Sequence, residues 1–437
     1  MGFLATARGL ADETTRERNR AVDLFRATSI LVVMWGHWTM AAVTVEDGRL
    51  VPGHILVLAD WTHPLTWAFQ VMPVFFLVGG YANGISWRSA RERGTTYGGW
   101  LRARTRRLAL PVVPVLLCWL ALGWAGLVFG LEPGTLRLAS TVAFVPTWFL
   151  ASYILVVALA PLGLLAWERW GFGTVMAGTA LAAVVDVVSL RWDSLAIGFV
   201  NYFLVWATVH QVGLAWLEGR LASTARRLSL ATVGLLGALL LVVAGPYPVS
   251  MVGVDTATVN NTYPPRVTLV FLGLFQAGVV LLLEGWAQRL AQSRGVWTAV
   301  VAVNGRIMTL YLWHVTAMVG VMGLSLAVGG VGLRVDPLTA TWWLTRPLWY
   351  VVLVLATLAL AAVFGRFETP APDERPAPPW WRPVLAVATV CAGLAALALL
   401  GIVDDAGGLH VWLLLLPLAG LAAGGVLRPP GLTRRPR

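Results

Sequence analysis

The chain has 437 residues, of which 58% are hydrophobic and only 12% are charged. Its apolar runs recur at lengths of about 18 to 25 residues, which is enough to cross a bilayer, so a polytopic membrane protein is predicted rather than a soluble one. The formal net charge of +11 is no sign of nucleic-acid binding, because the basic residues follow the predicted membrane topology.

Twelve apolar segments predict an all-α polytopic membrane helix bundle of about twelve spans. They lie near 27–45, 64–86, 108–130, 144–167, 173–190, 197–217, 229–249, 267–286, 304–328, 347–364, 383–402 and 409–427. All 32 basic residues are arginine, and all but six fall on one predicted side. By the positive-inside rule that side is the cytoplasm, so we expect a multi-pass plasma-membrane protein with both termini cytoplasmic.

The predicted organisation is a cytoplasmic N-terminal tail, a ten-span core, a proline-rich cytoplasmic linker, a two-span hairpin and a cytoplasmic tail. Their limits are 1–20, 21–366, 367–382, 383–427 and 428–437. No segment outside the membrane is long enough for a globular domain, so any chemistry is expected within or at the edges of the bundle. The two cysteines lie in separate apolar spans, and neither a disulfide nor a metal site is predicted.

The first strongly apolar stretch, DLFRATSILVVMWGHW at 23–38, carries three ionisable side chains on one stripe. Arg26 and His37 are eleven residues apart, which is about 20° past three helical turns, and Asp23 falls about 40° to the other side of His37. At ~16 Å along the helix from Arg26, His37 is expected near the bilayer midplane. Ionisable groups at that depth mark a functional site by default. A packed histidine, with Arg26 and Asp23 as interfacial anchors, remains the alternative.

A second intramembrane histidine, His314, occurs about ten residues into the ninth predicted span. If the two imidazoles lie at matching depth, they can approach each other. A neutral imidazole accepts a proton near pH 7, which is what activation of a hydroxyl group requires. Packing within the core is the alternative for His314 as well.

An arginine-rich cytoplasmic segment ends in Arg104 and Arg107, directly before the third predicted span. The guanidinium group matches phosphate oxygens, so this pair suits a nucleotide-like acyl donor. For the earlier arginines of the segment, contact with anionic lipid is at least as good an interpretation. These earlier residues are Arg88, Arg91 and Arg93.

From about Arg20 to Phe364 the chain resembles the integral-membrane acyltransferase-3 family, which modifies sugars and related acceptors at the bacterial envelope. The resemblance rests on Asp23, Arg26 and His37, on FQVMPVFFLVGGY at 69–81, on Arg104 and Arg107 before LALP, on TWFLASYILVVALAPL at 147–162 and on YLWH at 311–314. It implies that His37 is the central catalytic residue and that Arg26, Arg104 and Arg107 serve the acyl-CoA side. The chain departs from many members at Gly79 and Gly80, where a Ser-Gly pair is common, and at Ser152 and Tyr153, where a glutamate is common.

The predicted activity is O-acyl transfer from cytosolic acyl-CoA, as co-substrate without a bound cofactor, to a hydroxyl of an envelope carbohydrate, glycolipid or secreted metabolite. An acetyl or other short acyl group is expected. His37, Asp23 and His314 are the predicted catalytic residues. The predicted pocket residues are Gly79, Gly80, Tyr81, Trp148 and Tyr311, although close helix packing explains the glycines at least as well. The alternative function is that of a secondary transporter or lipid-glycan exporter, which would couple protons or anions through its buried histidine and arginine. Such proteins often show two related halves, and no paired half-repeats are visible in this sequence.

Overall fold

A computed structural model describes residues 3–13, 18–46, 48–254, 258–368 and 375–427. Parts of the predicted terminal tails and of the proline-rich linker, at 1–2, 14–17, 369–374 and 428–437, lie outside the described residues. The all-α fold class is confirmed for the described part, which contains one two-stranded hairpin besides its helices.

The helices are numbered in chain order. They are α1 (Phe3–Asp12), α2 (Arg20–Met40), α3 (Ile55–Leu58), α4 (Thr66–Phe69), α5 (Met72–Glu92), α6 (Tyr97–Ala109), α7 (Val112–Val128), α8 (Pro133–Trp170), α9 (Gly173–Arg191), α10 (Leu195–Gly198), α11 (Asn201–Leu217), α12 (Thr224–Ala244), α13 (Val267–Leu282), α14 (Glu284–Leu290), α15 (Arg294–Gly305), α16 (Ile307–Ala327), α17 (Ala340–Phe364), α18 (Trp381–Leu400) and α19 (Val411–Ala423). The hairpin consists of β1 (Thr44–Glu46) and β2 (Arg49–Val51), which pair antiparallel.

Within the described residues, nine helical segments are long and apolar enough to cross a membrane, and a tenth is added if α13 and α14, bent by 53°, form one span. The nine are Asp60–Glu92, Tyr97–Val128, Pro133–Trp170, Gly173–Arg191, Leu195–Leu217, Thr224–Ala244, Ile307–Ala327, Ala340–Phe367 and Trp381–Leu400. Two of the twelve predicted spans do not meet these criteria. Helix α2 is long enough, but its ionisable stripe lowers its hydropathy, and α19, at 13 residues, is only ~20 Å long.

Helix α2 ends earlier than the apolar run that predicted it. The expected span continued to residue 45, whereas the helix stops at Met40 and Ala41 is already extended, with φ −73° and ψ 102°. The β-branched residues after Met40 enter the hairpin, whose turn contains Gly48 at φ +75°, a conformation that favours glycine. His37 therefore lies in the last turn of α2, and its expected depth near the bilayer midplane stays a prediction.

The chain divides into two compact units. The first comprises the described residues of Met1–Ser86, Leu159–Ile307 and Leu324–Tyr350. The second comprises those of Trp87–Ala158, Met308–Gly323 and Val351–Arg437. Four long helices, α5, α8, α16 and α17, contribute residues to both units.

In the first unit, α5 and α11 approach each other at Gly80 and Gly213. A methyl group on Gly80 would overlap the backbone carbonyl oxygen of His210, and one on Gly213 would overlap that of Leu77. Gly80 is therefore used for close helix packing, and its assignment to a pocket stays a prediction. Its neighbour Gly79 is also buried within α5.

In the second unit, the C-terminal helices α18 and α19 pack against the helices of the core. Thr147 of α8 donates a hydrogen bond to the carbonyl oxygen of Leu394 at 2.9 Å, and the thiol of Cys391 donates one to that of Ala151 at 3.2 Å. The backbone N–H of Ile402 donates to the hydroxyl of Ser140 at 3.1 Å. The predicted hairpin at 383–427 therefore belongs to the same compact unit as α6, α7 and the first part of α8.

The start of α16 receives its hydrogen-bond acceptor from a distant part of the chain. The buried carboxylate of Glu368 accepts the backbone N–H groups of Met308 at 2.8 Å and Thr309 at 2.9 Å. It also accepts the Thr309 hydroxyl at 2.7 Å. Because the first N–H groups of a helix have no partner within the helix, Glu368 satisfies donors that would otherwise be buried without one.

We expect Gly80→Ala to lower the thermal stability of the detergent-solubilised protein, by about 1–3 kcal/mol, because the added methyl group forces α5 and α11 apart. The matched control is Gly320→Ala, which places a methyl group in open space on α16 and should leave the unfolding midpoint unchanged or slightly higher. Equal midpoints for the two variants would contradict this packing.

Candidate functional site

Near the start of α2, the buried carboxylate of Asp23 is shared by two arginines. It accepts hydrogen bonds from Nε and Nη2 of Arg18 at 2.6 and 3.0 Å and from Nη2 of Arg26 at 2.8 Å. The hydrogen bond from Arg18, together with the charge of Asp23, raises the pKa of the Arg18 guanidinium above its usual value. A carboxylate in the first turn of a helix is also favoured by the helix dipole.

Asn304, near the end of α15, completes this cluster. Its Oδ1 accepts a hydrogen bond from Nε of Arg26 at 2.7 Å, and its Nδ2 donates to the backbone carbonyl of Asp23 at 2.9 Å. The closed ring of hydrogen bonds joins α2 to α15. Asn304 is not among the residues that the sequence predicts for the site, although an amide in the last turn of a short apolar helix is a recognisable signal.

A second carboxylate, Glu284, lies at the bend between α13 and α14 and binds the side chain of Asn19, the residue before α2. It accepts hydrogen bonds from Asn19 at 3.1 Å, from the indole of Trp216 at 2.9 Å and from Arg227 at 2.7 Å. The ring of Tyr81 packs against Trp216, with 4.8 Å between ring centroids. Tyr81, a predicted pocket residue, therefore packs on the indole that donates to Glu284.

His37 lies at the other end of the helix. Fourteen residues separate it from Asp23, which is ~21 Å along a continuous helix. Asp23 therefore does not contact the imidazole, and a catalytic role through direct contact with His37 is excluded. His37 is half-buried, and its backbone carbonyl accepts the N–H of Ala41, which pairs with His54 from the segment that follows the hairpin.

The same end of α2 also contacts α17. The hydroxyl groups of Thr39 and Tyr350 are 2.9 Å apart, and the rings of Trp35 and Tyr350 have centroids 4.3 Å apart. These contacts fix the last turn of α2 within the first unit.

The second unit contains three residues that the sequence predicts for the site, namely His314, Tyr311 and Trp148. His314 is fully buried, and its Nδ1 lies 2.6 Å from the carbonyl oxygen of Tyr311. Because a carbonyl oxygen only accepts, Nδ1 carries a proton and Nε2 of the neutral ring is the acceptor nitrogen. Tyr311 donates its hydroxyl to the carbonyl of Pro146 at 2.7 Å and packs against Phe149, the neighbour of Trp148, at 5.4 Å.

The predicted donor-binding arginines, Arg104 and Arg107, lie on α6 in the second unit. Arg107 is exposed, whereas Arg104 is half-buried with its guanidinium carbon 5.9 Å from the centroid of the Trp100 ring. Arg102 on the same helix is buried and donates to the carbonyl oxygens of Arg375 and Pro376, each at 2.8 Å. The sequence did not distinguish this structural arginine from its neighbours. The meeting of these residues with His37 in one site stays a prediction.

A separate buried carboxylate, Asp186 of α9, has partners on several elements of the first unit. It accepts from the backbone N–H of Val267 at 2.7 Å, from Asn201 at 2.8 Å and from the hydroxyl of Tyr247 at 3.1 Å, and Arg266 lies 3.4 Å away. Because its charge is compensated, we interpret it as a structural link. Over the part of the chain that the structure describes, no three His, Cys, Asp or Glu side chains come together as a metal site.

The family model of the acyltransferase-3 family, described as an acyltransferase domain, matches residues 19–366. The chain belongs to this family. The match confirms the resemblance and includes Asp23, Arg26 and His37. No curated protein and no solved structure matches the chain. Together with its many apolar helices, family membership identifies a multi-pass membrane acyltransferase.

We expect Asp23→Asn to destabilise the protein by about 1–3 kcal/mol, because Arg18 and Arg26 then share a neutral amide instead of a carboxylate. The matched control is Asp12→Asn, since Asp12 and Arg294 form an exposed pair at 2.7 Å that should contribute less than about 1 kcal/mol. Thermal unfolding in detergent measures both. A midpoint for Asp23→Asn no lower than that of the control would show that the shared carboxylate is unimportant.

Proposed function

We propose that the protein transfers an acetyl or other short acyl group from cytosolic acyl-CoA to a hydroxyl group of an envelope carbohydrate, a glycolipid or a secreted metabolite. It would act in the plasma membrane with both termini in the cytoplasm. The observation that carries this proposal is the half-buried imidazole of His37, placed in the last turn of α2 within a membrane acyltransferase. Such a group is suited to accept a proton from an acceptor hydroxyl.

In the proposed reaction, His37 acts as general base. It takes the proton of the acceptor hydroxyl while the acceptor oxygen attacks the thioester carbonyl carbon. The tetrahedral intermediate collapses with cleavage of the C–S bond, and the proton passes from His37 to the CoA thiolate. An ester and free CoA are formed, and His37 returns to its neutral state.

The phosphate groups of acyl-CoA are proposed to bind Arg104 and Arg107. The exposure of Arg107 and the partial exposure of Arg104 support this assignment. Arg26 stays a proposed donor-side residue, with Asp23 and Asn304 determining the direction of its guanidinium group. His314 is proposed to assist by accepting a hydrogen bond at Nε2.

We expect His37→Gln to reduce acyl transfer at least 100-fold, because a general base typically contributes about 10²–10⁴ in rate. The measurement is incorporation of radiolabel from acetyl-CoA into the lipid and glycan fractions of membrane vesicles, with folded protein quantified by gel filtration in detergent. His410→Gln, in the turn between α18 and α19, is the control and should retain wild-type transfer. Undiminished transfer by His37→Gln would exclude the general-base assignment, and proton-coupled flux without acyl chemistry would favour the transporter.

We expect Arg107→Gln to raise the KM for acetyl-CoA roughly 10-fold, because the lost charge-assisted hydrogen bond to phosphate contributes about 1.5–3 kcal/mol. Arg91→Gln removes another exposed arginine from the same segment and should change KM less than about twofold, since a lipid-facing charge contributes little to donor binding. Equal effects of the two substitutions would assign both arginines to the membrane surface.

A further inference from the structure

The loop after α2 returns a second imidazole to the end of that helix. Ala41, the first residue after α2, pairs antiparallel with His54, and the N–H of Ala42 donates to the carbonyl of Gly53 at 2.9 Å. Ala41 is four residues beyond His37, so it follows His37 on the same side of the helix by one turn. Because the N–H of Ala41 also donates to the carbonyl of His37 at 3.3 Å, the pairing places His54 next to the turn that carries His37.

The local structure determines which nitrogen of His54 carries the proton. Nδ1 of His54 accepts the backbone N–H of Leu56 at 3.3 Å, at the start of α3. A nitrogen that accepts a hydrogen bond is not protonated, so the neutral ring has its proton on Nε2. His54 is thus a hydrogen-bond donor through Nε2, whereas the proposed role of His37 is that of a proton acceptor.

The segment that carries His54 is well anchored. Ile55 and Leu56 are buried, and Ile55 belongs to a buried apolar cluster with Ala42 and Trp342. On the other side, Nε2 of His63 lies 2.7 Å from the carbonyl oxygen of Leu56. A donor that is fixed before the reaction begins needs no reorganisation as charge develops, which is the condition for strong transition-state stabilisation.

We propose that His54 is a second catalytic residue, whose Nε2–H donates a hydrogen bond to the thioester carbonyl oxygen as that oxygen becomes an oxyanion. His37 receives the acceptor proton in the same step, and the oxyanion returns to a carbonyl when the C–S bond breaks. This inference rests on the proposed function. It assigns a pair of imidazoles with opposite hydrogen-bonding roles to the C-terminal end of α2.

Two substitutions separate this role from a purely structural one. His54→Asn retains an oxygen that can accept the Leu56 N–H, because asparagine is a strongly preferred helix N-cap, but it has no donor at the position of Nε2. His54→Gln places an amide N–H close to that position. If His54 only caps α3, the asparagine variant should be as active as the wild type.

We expect His54→Asn to fold normally and to lose about 100-fold or more in transfer from radiolabelled acetyl-CoA, as for loss of one oxyanion donor. His54→Gln should retain at least about tenfold more activity than His54→Asn, because its amide replaces the lost donor. Wild-type transfer by His54→Asn, or equal losses in both variants, would overturn the proposal.

A second measurement does not depend on activity. Nitrogen-15 NMR of histidine-labelled protein in detergent reports the tautomer of each ring, and the signal absent from His54→Asn identifies His54. A proton on Nε2 is expected, and a proton on Nδ1 would overturn the proposal. Retained transfer by His37→Gln would instead contradict the proposed function itself, so the two failures are distinguishable.

Discussion

The carboxylate that Arg18 and Arg26 share at Asp23 anchors the first turn of α2. With Asn304 it joins the first turn of α2 to α15 by hydrogen bonds at 2.6–3.0 Å. From this anchored turn a continuous helix extends to Met40, and a helix has little freedom to bend without a proline or an inserted group. His37 lies ~21 Å further along this helix, where the contacts of Trp35 and Thr39 with Tyr350 hold the last turn.

Charged groups inside an apolar bundle are costly unless they are compensated, and this chain compensates several of them locally. Asp186 and Glu284 each collect donors from several elements, and Arg102 donates to two backbone carbonyls. These groups organise the fold. The residue that we propose as general base differs from them, because the imidazole of His37 is only half-buried and is proposed to act on a substrate.

The sequence was sufficient for the helical fold, for the family and for the Asp23–Arg26 stripe, since periodicity determines which residues share a helix face. It was insufficient for the end of α2, because an apolar run does not reveal where hydrogen bonding changes from helix to hairpin. The pairing of Ala41 with His54 and the bond between Arg26 and Asn304 join distant segments and leave no local pattern. Gly80 illustrates the same limit, since its partner backbone belongs to α11.

The bond between Glu368 and the start of α16 shows that the end of the family match is not the end of the physical unit. The family match ends at residue 366, two positions before the side chain that accepts the first N–H groups of the helix carrying His314. Exchange of C-terminal regions between relatives would therefore succeed only when the incoming segment provides an equivalent acceptor. For this chain, the smallest transplantable module extends past the residues that the family model matches.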